Sequence, residues 1–401
     1  MNINGTVSCR SIAAAGGIKA RALCSAVCAL ALAVAATAGE NSRIITFDAP
    51  GAGTGAGQGT ACFNDCSVNI NIWGAITGSY LDANNVFHGF LRSPEGKFTT
   101  FQAPDADTTP QSFNGTIPQA INDAGVITGF YADASGTPHG FLRSPEGGFT
   151  TFDAFVGGGS ATFGIALNLE GAVAGYATNP NGVFHGFLRR PDGTFAKWLA
   201  SQGCDTSPAT GCFGTAAFSI NVFGAVVGGY EDNSGNFVGH GLIRSPHGKF
   251  TTYNVPGAGT GPYQGTGCPG CSVPLNLFGA IAGYYIDAKN VVHGYLRSPE
   301  GRFTTFEPPG VGPNGMNCYA DCSVGLNDYG AITGFYLDTN NVFHGFLRSP
   351  EGKFRTFQAP GADTKPGDFN GTFPVSINDW GAIAGYYFDG NNVVHGFLRL
   401  P

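Results

Sequence analysis

Histidine is the residue whose type and recurrence first suggest chemistry here, because it can act as a general acid, a general base or a metal ligand near neutral pH. Successive His-Gly pairs are 51, 46, 55, 53, 51 and 51 residues apart. The seven histidines are His88, His139, His185, His240, His293, His344 and His395. A catalytic group is needed once, whereas a repeat reproduces whatever builds its unit. We therefore interpret these histidines as structural, each a neutral imidazole hydrogen-bonded within its own copy of the repeat.

Carboxylates that break the repeat are the remaining candidates for catalysis. The candidates are Glu231, Asp321 and Asp65, with Glu170, Glu307 and Asp205 as further unrepeated acids. Two carboxylates on either side of a glycosidic bond can hydrolyse it, but the sequence does not show that any two converge. No G-x-S-x-G, H-E-x-x-H or calcium-loop pattern occurs. We assign no catalytic residue and expect no cofactor.

A repeated aspartate raises the question of a metal site. It occupies the turn before the histidine in six copies: Asp82, Asp133, Asp232, Asp287, Asp338 and Asp389. These carboxylates could ring one face and hold cations. Asn179 stands at this position in the third copy, which favours a turn-forming role. One histidine per copy also spreads the imidazoles apart, so we predict no metal site.

The elements that carry these residues form a four-part unit of about 50 residues. A segment ending in Asn comes first, then a glycine three residues later and an apolar "AITGSY" run. A D-x-N-N or D-x-S-G turn leads to the "VFHGFLR" run, and "SPEG" leads to "KFTTF". The runs are 5–8 residues long, rich in β-branched and aromatic residues, and bounded by turn formers. This pattern predicts four short antiparallel strands per copy, the size of a propeller blade.

The two ends of the repeat array complement each other. The last copy stops at "HGFLRLP", while "RIITFDAP" at 43–50 aligns with "KFTTFQAP" at 97–104. The segment missing from the last copy is thus present at the N-terminus. This is the arrangement expected of a ring of sheets in which the N-terminal strand completes the last copy, and such closure leaves no sheet edge exposed. We predict an all-β fold: a seven-bladed β-propeller of four-stranded blades whose last blade is completed by the N-terminal strand. The variable connections between blades and the D-x-N-N turns are expected on one face, the loop face, where function is more often found.

One family resembles this repeat. "INDAGVITGFYADASGTPHGFLRSPEGGF" at 121–149 is similar to the HAF-type extracellular repeat, in which I-N-x-x-G-x-hydrophobic-hydrophobic-G precedes His-Ala-Phe. The resemblance covers about residues 43–401 and implies an exported repeat protein with a propeller-like fold. This chain has Gly in place of the family's Ala, and Arg92 and its equivalents where an aromatic is usual.

The N-terminal 38 residues have the features of a secretory signal peptide. Arg10, Lys19 and Arg21 precede a short apolar run, and "ATA" at 36–38 provides a cleavage site. We expect residues 39–401 to form a single domain that is secreted, periplasmic or on the cell surface.

The charge of the chain after the signal limits its partners. Without the signal, the chain has 17 basic and 27 acidic residues, a net charge of −10. That excess disfavours nucleic acid, and no later apolar run is long enough for membrane insertion. A monomer is expected.

Eight cysteines remain after the signal, in four local couples. They are Cys62 and Cys66, Cys204 and Cys212, Cys268 and Cys271, and Cys318 and Cys322. An even number of cysteines close in sequence in an exported protein predicts disulfides, here within the connecting loops. "CPGC" at 268–271 lacks the helix of a redox motif and the second ligand pair of a zinc site.

Three functional hypotheses follow. The favoured one is an exported, non-catalytic propeller that binds a carbohydrate or an extracellular protein through its loop face. The alternative is a hydrolase or lyase acting on extracellular polysaccharide, with its site at the channel mouth. The third is a surface protein with a purely structural role and no saturable ligand.

Overall fold

β-Strands form all of the regular secondary structure in the described residues. The computed structural model describes residues 43–61, 67–155, 160–179, 181–200, 203, 214–267, 272–313, 315–316 and 324–401. Residues 44–400 form one compact unit. The predicted signal peptide and the eight cysteines that follow it lie outside the described residues. No helix in the described part of the chain is long and apolar enough to span a membrane.

Each copy of the repeat contributes a first, second, third and fourth strand. The first strands are β2 (Gly59–Thr60) with β3 (Asn69–Ile70), β7 (Thr116–Ile121), β11 (Thr162–Leu167), β15 (Thr215–Ile220), β19 (Gly265–Thr266), β23 (Val324–Leu326) and β27 (Thr372–Ile377). The second strands are β4 (Ile76–Leu81), β8 (Ile127–Ala132), β12 (Val173–Thr178), β16 (Val226–Glu231), β20 (Ile281–Ile286), β24 (Ile332–Leu337) and β28 (Ile383–Phe388).

The third strands carry the His-Gly pairs. They are β5 (Phe87–Arg92), β9 (Pro138–Arg143), β13 (Phe184–Arg189), β17 (Gly239–Arg244), β21 (Val292–Arg297), β25 (Phe343–Arg348) and β29 (Val394–Arg399). The fourth strands are β6 (Phe98–Phe101), β10 (Phe149–Phe152), β14 (Phe195–Trp198), β18 (Phe250–Tyr253), β22 (Phe303–Phe306), β26 (Phe354–Phe357) and, for the last copy, β1 (Ile44–Phe47). β1 pairs antiparallel with β29, with Phe47 opposite Gly396.

The glycine of each His-Gly pair makes room for an aromatic side chain. A Cβ built on Gly140 would lie 2.2 Å from the Phe152 ring of the opposite strand, far inside van der Waals contact. Gly89 and Gly396 meet Phe101 and Phe47 in the same way. An alanine here, as in the HAF-type repeat, would clash with the fourth strand of this chain.

The arginine that ends each third strand covers the fourth-strand aromatic residue of the preceding copy. In the second copy, the Arg143 guanidinium carbon lies 4.7 Å from the centre of the Phe101 ring. Equivalent contacts occur in the other six copies at 5.1–5.4 Å. They join Arg92 to Phe47, Arg189 to Phe152, Arg244 to Trp198, Arg297 to Tyr253, Arg348 to Phe306 and Arg399 to Phe357. The core therefore lies between neighbouring sheets, where aromatic rings are sandwiched between copies.

The first strands surround a shared cavity of about 340 Å³. Every copy supplies at least one lining residue: Asn69, Gln119, Leu167, Ser219, Pro274, Val324 and Ser376. The last copy contacts the first beside this cavity, since Ser376 Oγ donates to the Val68 carbonyl at 2.8 Å. Gly59 of the first copy also forms a parallel bridge with Val394 of the last.

Candidate functional site

The repeated histidine stacks on a tyrosine of the neighbouring strand. His88 lies opposite Tyr80 in the β4–β5 ladder, and their ring centres are 4.9 Å apart with near-parallel planes. Five further copies repeat the stack at 4.9–5.4 Å. The third copy is the exception, because Ala177 faces His185 there. In the six other copies the stacked tyrosine fixes one face of the imidazole.

The repeated aspartate both forms the turn and contacts the imidazole. Asp82 Oδ1 accepts from the amides of Asn84 and Val86 at 2.8 and 2.9 Å. Asp82 Oδ2 lies 3.2 Å from Nε2 of His88. Burial raises the pKa of Asp82, but hydrogen bonds from Val86 and His88 outweigh it and leave the pKa lowered. The carboxylate is therefore held in its charged form beside the ring.

The same aspartate–histidine contact recurs along the chain. The oxygen–nitrogen distances are 3.0–3.7 Å in the six copies that have aspartate. In the third copy Asn179 Nδ2 lies 3.2 Å from Nε2 of His185. In the second copy the Ser135 hydroxyl, with the Thr137 amide, lowers the pKa of Asp133 to about 2. The turn-forming role expected of the aspartate is thus combined with a contact that the sequence did not suggest.

A second polar side chain, fourteen residues after the histidine, approaches the other ring nitrogen. Asp153 Oδ1 lies 2.8 Å from Nδ1 of His139, and Glu307 makes the equivalent contact with His293. Nδ1 of His395 is 2.9 Å from Asp48, which follows β1. These three imidazoles lie between two carboxylates, and the last of them depends on the N-terminal strand.

The other copies vary this second partner. Asn254 Oδ1 lies 2.7 Å from Nδ1 of His240, and Gln358 Nε2 lies 3.1 Å from Nδ1 of His344. In the first copy Gln102 donates instead to the carbonyl of Phe87. We call each set of histidine, preceding turn residue and following polar residue an imidazole site. The sequence feature that could have indicated this second partner is the polar residue that directly follows "FTTF" and its equivalents in most copies.

The imidazole sites reach solvent on the loop face. The carboxylates that approach Nδ1 are 40–55% exposed, whereas the six histidines of the aspartate-containing sites are 17–25% exposed. Contacts between connections and turns place both on this face: Gln58 Nε2 donates to Asn85 Oδ1, and Asn85 Nδ2 donates to Gln111 Oε1, each at 2.8 Å. Each aspartate-containing site thus offers fixed acceptors and one imidazole to a ligand at the surface.

Of the three candidate catalytic acids, only Glu231 lies in the described residues. Glu231, at the end of β16, is only 4% exposed and borders a cavity of about 40 Å³ that His240 and Tyr253 also line. Pockets for small molecules usually exceed about 300 Å³. Asp65 and Asp321 lie outside the described residues. No group of three or more His, Cys, Asp or Glu in the described part of the chain could hold a metal ion.

The fold defines the class of protein: an all-β protein with a β-propeller architecture. No family model matches the chain, and no curated protein is similar to it. The HAF-type assignment therefore stays a prediction.

Several solved structures are similar to this chain. One is the BP39L lectin from Burkholderia pseudomallei, with 10% identity, 84% of this chain and 96% of the lectin covered, and a TM-score of 0.49. A puromycin hydrolase S511A mutant complexed with PGG is 13% identical over 82% of this chain, with a TM-score of 0.51, and the match spans 50% of that enzyme. The β-propeller domain of the Trilobed protease from Pyrococcus furiosus is 8% identical over 84% of this chain and 96% of that domain, with a TM-score of 0.48. At these identities the likeness concerns the fold alone.

Proposed function

We propose that the chain is an exported, seven-bladed β-propeller, closed by its N-terminal strand, that binds a ligand through the loop face without catalysing a reaction. Closure is supported by contacts between the last and first copies. β1 completes the sheet of the last copy, and Arg92 of the first copy covers Phe47 on β1. Export rests on the N-terminal sequence, and we propose that the eight cysteines pair within the loops.

The imidazole site, present in several copies on one face, is the observation that carries the binding function. A binding protein gains from repetition, because several weak sites on one scaffold act together on a multivalent ligand. Catalysis gains nothing from making the same histidine–aspartate pair many times. Each aspartate-containing copy holds its imidazole against a tyrosine and a charged carboxylate, so the geometry is fixed before a ligand arrives.

Carbohydrate is the ligand class that fits this chemistry best. Three of the sites place carboxylates on both sides of an imidazole, at His139, His293 and His395. Sugar hydroxyls are donors that such acceptors bind, and charge-assisted hydrogen bonds are about twice as strong as neutral ones. Asp48, at 55% exposed, and Asp153, at 42%, keep oxygen surface available for a ligand.

Titration calorimetry with soluble oligosaccharides of several classes tests this proposal. We expect one class to bind with several equivalents per chain. Asp153→Asn should weaken the site in the second copy alone and lower the number of tightly bound oligosaccharide molecules per chain by about one. A matched change away from the imidazole sites, Asp192→Asn, should leave the titration unchanged. A single equivalent accompanied by product formation would favour the polysaccharide-active enzyme instead, and no binding by any sugar class would leave a protein partner or a structural role.

A further inference from the structure

A set of solvent-exposed aromatic side chains lies in the Asn-x-x-Gly turns, where the first strands end beside the shared cavity. The third residue of the turn is aromatic and exposed in five of the seven copies. We call this set the aromatic crown: Trp73, Phe223, Phe278, Tyr329 and Trp380. Trp73 and Phe223 are each 67% exposed, so their rings lie outside the core. Exposed aromatic patches of this kind mark interaction surfaces more often than single exposed residues do.

The turns hold the crown in a fixed arrangement. Asn71 Oδ1 accepts from the amides of Trp73 and Ala75 at 3.1 and 3.0 Å, and Gly74 takes the positive φ of +87° that the turn requires. The side-chain Nδ2 of Asn71 donates to the Asn122 backbone carbonyl in the next copy at 3.1 Å.

Five more asparagine links of this kind join neighbouring turns. They run from Asn122 to Asn168, Asn168 to Asn221, Asn276 to Asn327, Asn327 to Asn378, and Asn378 back to Asn71. The aromatic residues therefore stand on turns whose backbone is fixed by hydrogen bonds, which lowers the entropy cost of binding a ligand there.

Acidic residues lie in four of the seven Asn-x-x-Gly turns. Asp123, Asp328 and Asp379 occupy the second position of three turns, and Glu170 takes the aromatic position in the third copy. No Lys or Arg occurs in any of the seven turns from the Asn to the residue after the Gly. Burial, then repulsion from Asp379, raises the pKa of Asp328 to about 6. A positive charge placed here would relieve that repulsion.

We propose that the aromatic crown and its carboxylates bind a cationic polypeptide segment, rich in arginine or lysine, on the face away from the loops. Aromatic faces attract cations, and guanidinium groups stack on them. The charge pattern argues against two other occupants. A second copy docked with its own crown on this crown would oppose carboxylates with carboxylates, and an anionic membrane surface placed on the crown would meet the same repulsion. This proposal concerns a surface separate from the imidazole sites, so it does not depend on sugar binding.

A labelled octa-arginine peptide without aromatic residues is the probe, read by fluorescence anisotropy and by the emission of the protein's tryptophans. Two of the three tryptophans, Trp73 and Trp380, belong to the crown, whereas Trp198 is buried at 8% exposure. We expect saturable binding that quenches tryptophan emission and weakens several-fold between 50 and 300 mM salt, because salt screens exposed charges. An octa-glutamate peptide should not bind.

Matched variants separate the crown from general attraction to an acidic protein. Phe223→Ala with Phe278→Ala should weaken octa-arginine binding about tenfold, since each exposed cation–π contact is worth a few-fold. Phe113→Ala with Tyr263→Ala removes two exposed aromatics from the connecting loops, leaves the net charge unchanged, and should leave binding unchanged. Equal binding by both double variants would overturn the proposal. Quenching by a neutral oligosaccharide but not by octa-arginine would identify a sugar platform instead, and self-association abolished by the crown variant would identify a second copy as the occupant.

Discussion

Arg92 lies over the ring of Phe47, with 5.1 Å between the guanidinium carbon and the ring centre. Arg92 ends the third strand of the first copy, whereas Phe47 lies on the N-terminal strand that pairs with the last copy. The contact matches the one between Arg143 and Phe101, which joins two copies that follow each other in sequence. The N-terminal strand is thus packed like the fourth strand of any other copy.

Phe47→Ala should therefore destabilise the protein as much as Phe101→Ala does. Both rings are half-buried, fill the space over a glycine, and are covered by an arginine of the next copy. We expect each change to lower the free energy of unfolding by about 2–3 kcal/mol, below the 3–5 kcal/mol typical of fully buried phenylalanines. Thermal unfolding followed by circular dichroism measures both. A loss for Phe101→Ala with none for Phe47→Ala would show that β1 does not complete the last copy.

Gly140→Ala tests why glycine follows every repeated histidine. The new methyl group would meet the Phe152 ring at 2.2 Å, so strand or ring must shift, and overpacking of this kind costs about 1–3 kcal/mol. Gly148→Ala, in the same copy, has its nearest neighbour at 3.5 Å and no positive φ. Gly148→Ala should leave the free energy of unfolding unchanged or raise it by up to about 1 kcal/mol, because alanine reduces the conformational freedom of the unfolded chain. Urea unfolding of the two variants gives the comparison, and equal midpoints would contradict the packing argument.

The sequence allowed the strands to be predicted because the repeat displays each strand seven times and each turn six or seven times. The permuted ends likewise led to the pairing of Ile44–Phe47 with the last copy, as observed. What the sequence did not reveal depends on contacts across strands. Asp153 and His139 are fourteen residues apart and meet because β9 and β10 pair. The exposed position of Trp73 was equally hidden, because an aromatic residue in a turn can face either the core or solvent.

His293→Ala should lower stability even without a ligand. The ring stacks on Tyr285 at 4.9 Å and contacts Asp287 and Glu307, so its removal loses one stack and two hydrogen-bonding contacts. We expect a loss of about 1–2 kcal/mol. His247 is the eighth histidine; it is exposed in an S-P-x-G turn, and His247→Ala should change stability by less than about 0.5 kcal/mol. Wild-type stability of the His293 variant would show that the repeated imidazole is kept for binding alone.

Asp328→Asn should stabilise the protein at neutral pH. Burial and the neighbouring Asp379 raise the pKa of Asp328 from 3.8 to about 6, so the folded state holds this proton more tightly than the unfolded chain. The stability that protonation provides is complete below about pH 4 and is lost as the pH rises through about 6. Asparagine keeps an oxygen that can accept from the Leu277 amide, the contact that Asp328 makes at 2.7 Å, and it carries no charge at any pH.

The expected gain for Asp328→Asn is about 1–2 kcal/mol at pH 7.5, because one pKa unit corresponds to about 1.4 kcal/mol and the pair shares the effect. The gain should shrink towards zero at pH 3.5, where Asp328 is protonated in the folded state and mostly protonated in the unfolded chain. Asp123→Asn, at an exposed position of the same rim, is the matched control and should have the smaller effect. Denaturant unfolding at the two pH values decides the question. A gain that does not depend on pH would show that repulsion between the Asp328 and Asp379 carboxylates does not lower the free energy of unfolding. A cationic partner would then have no such repulsion to relieve.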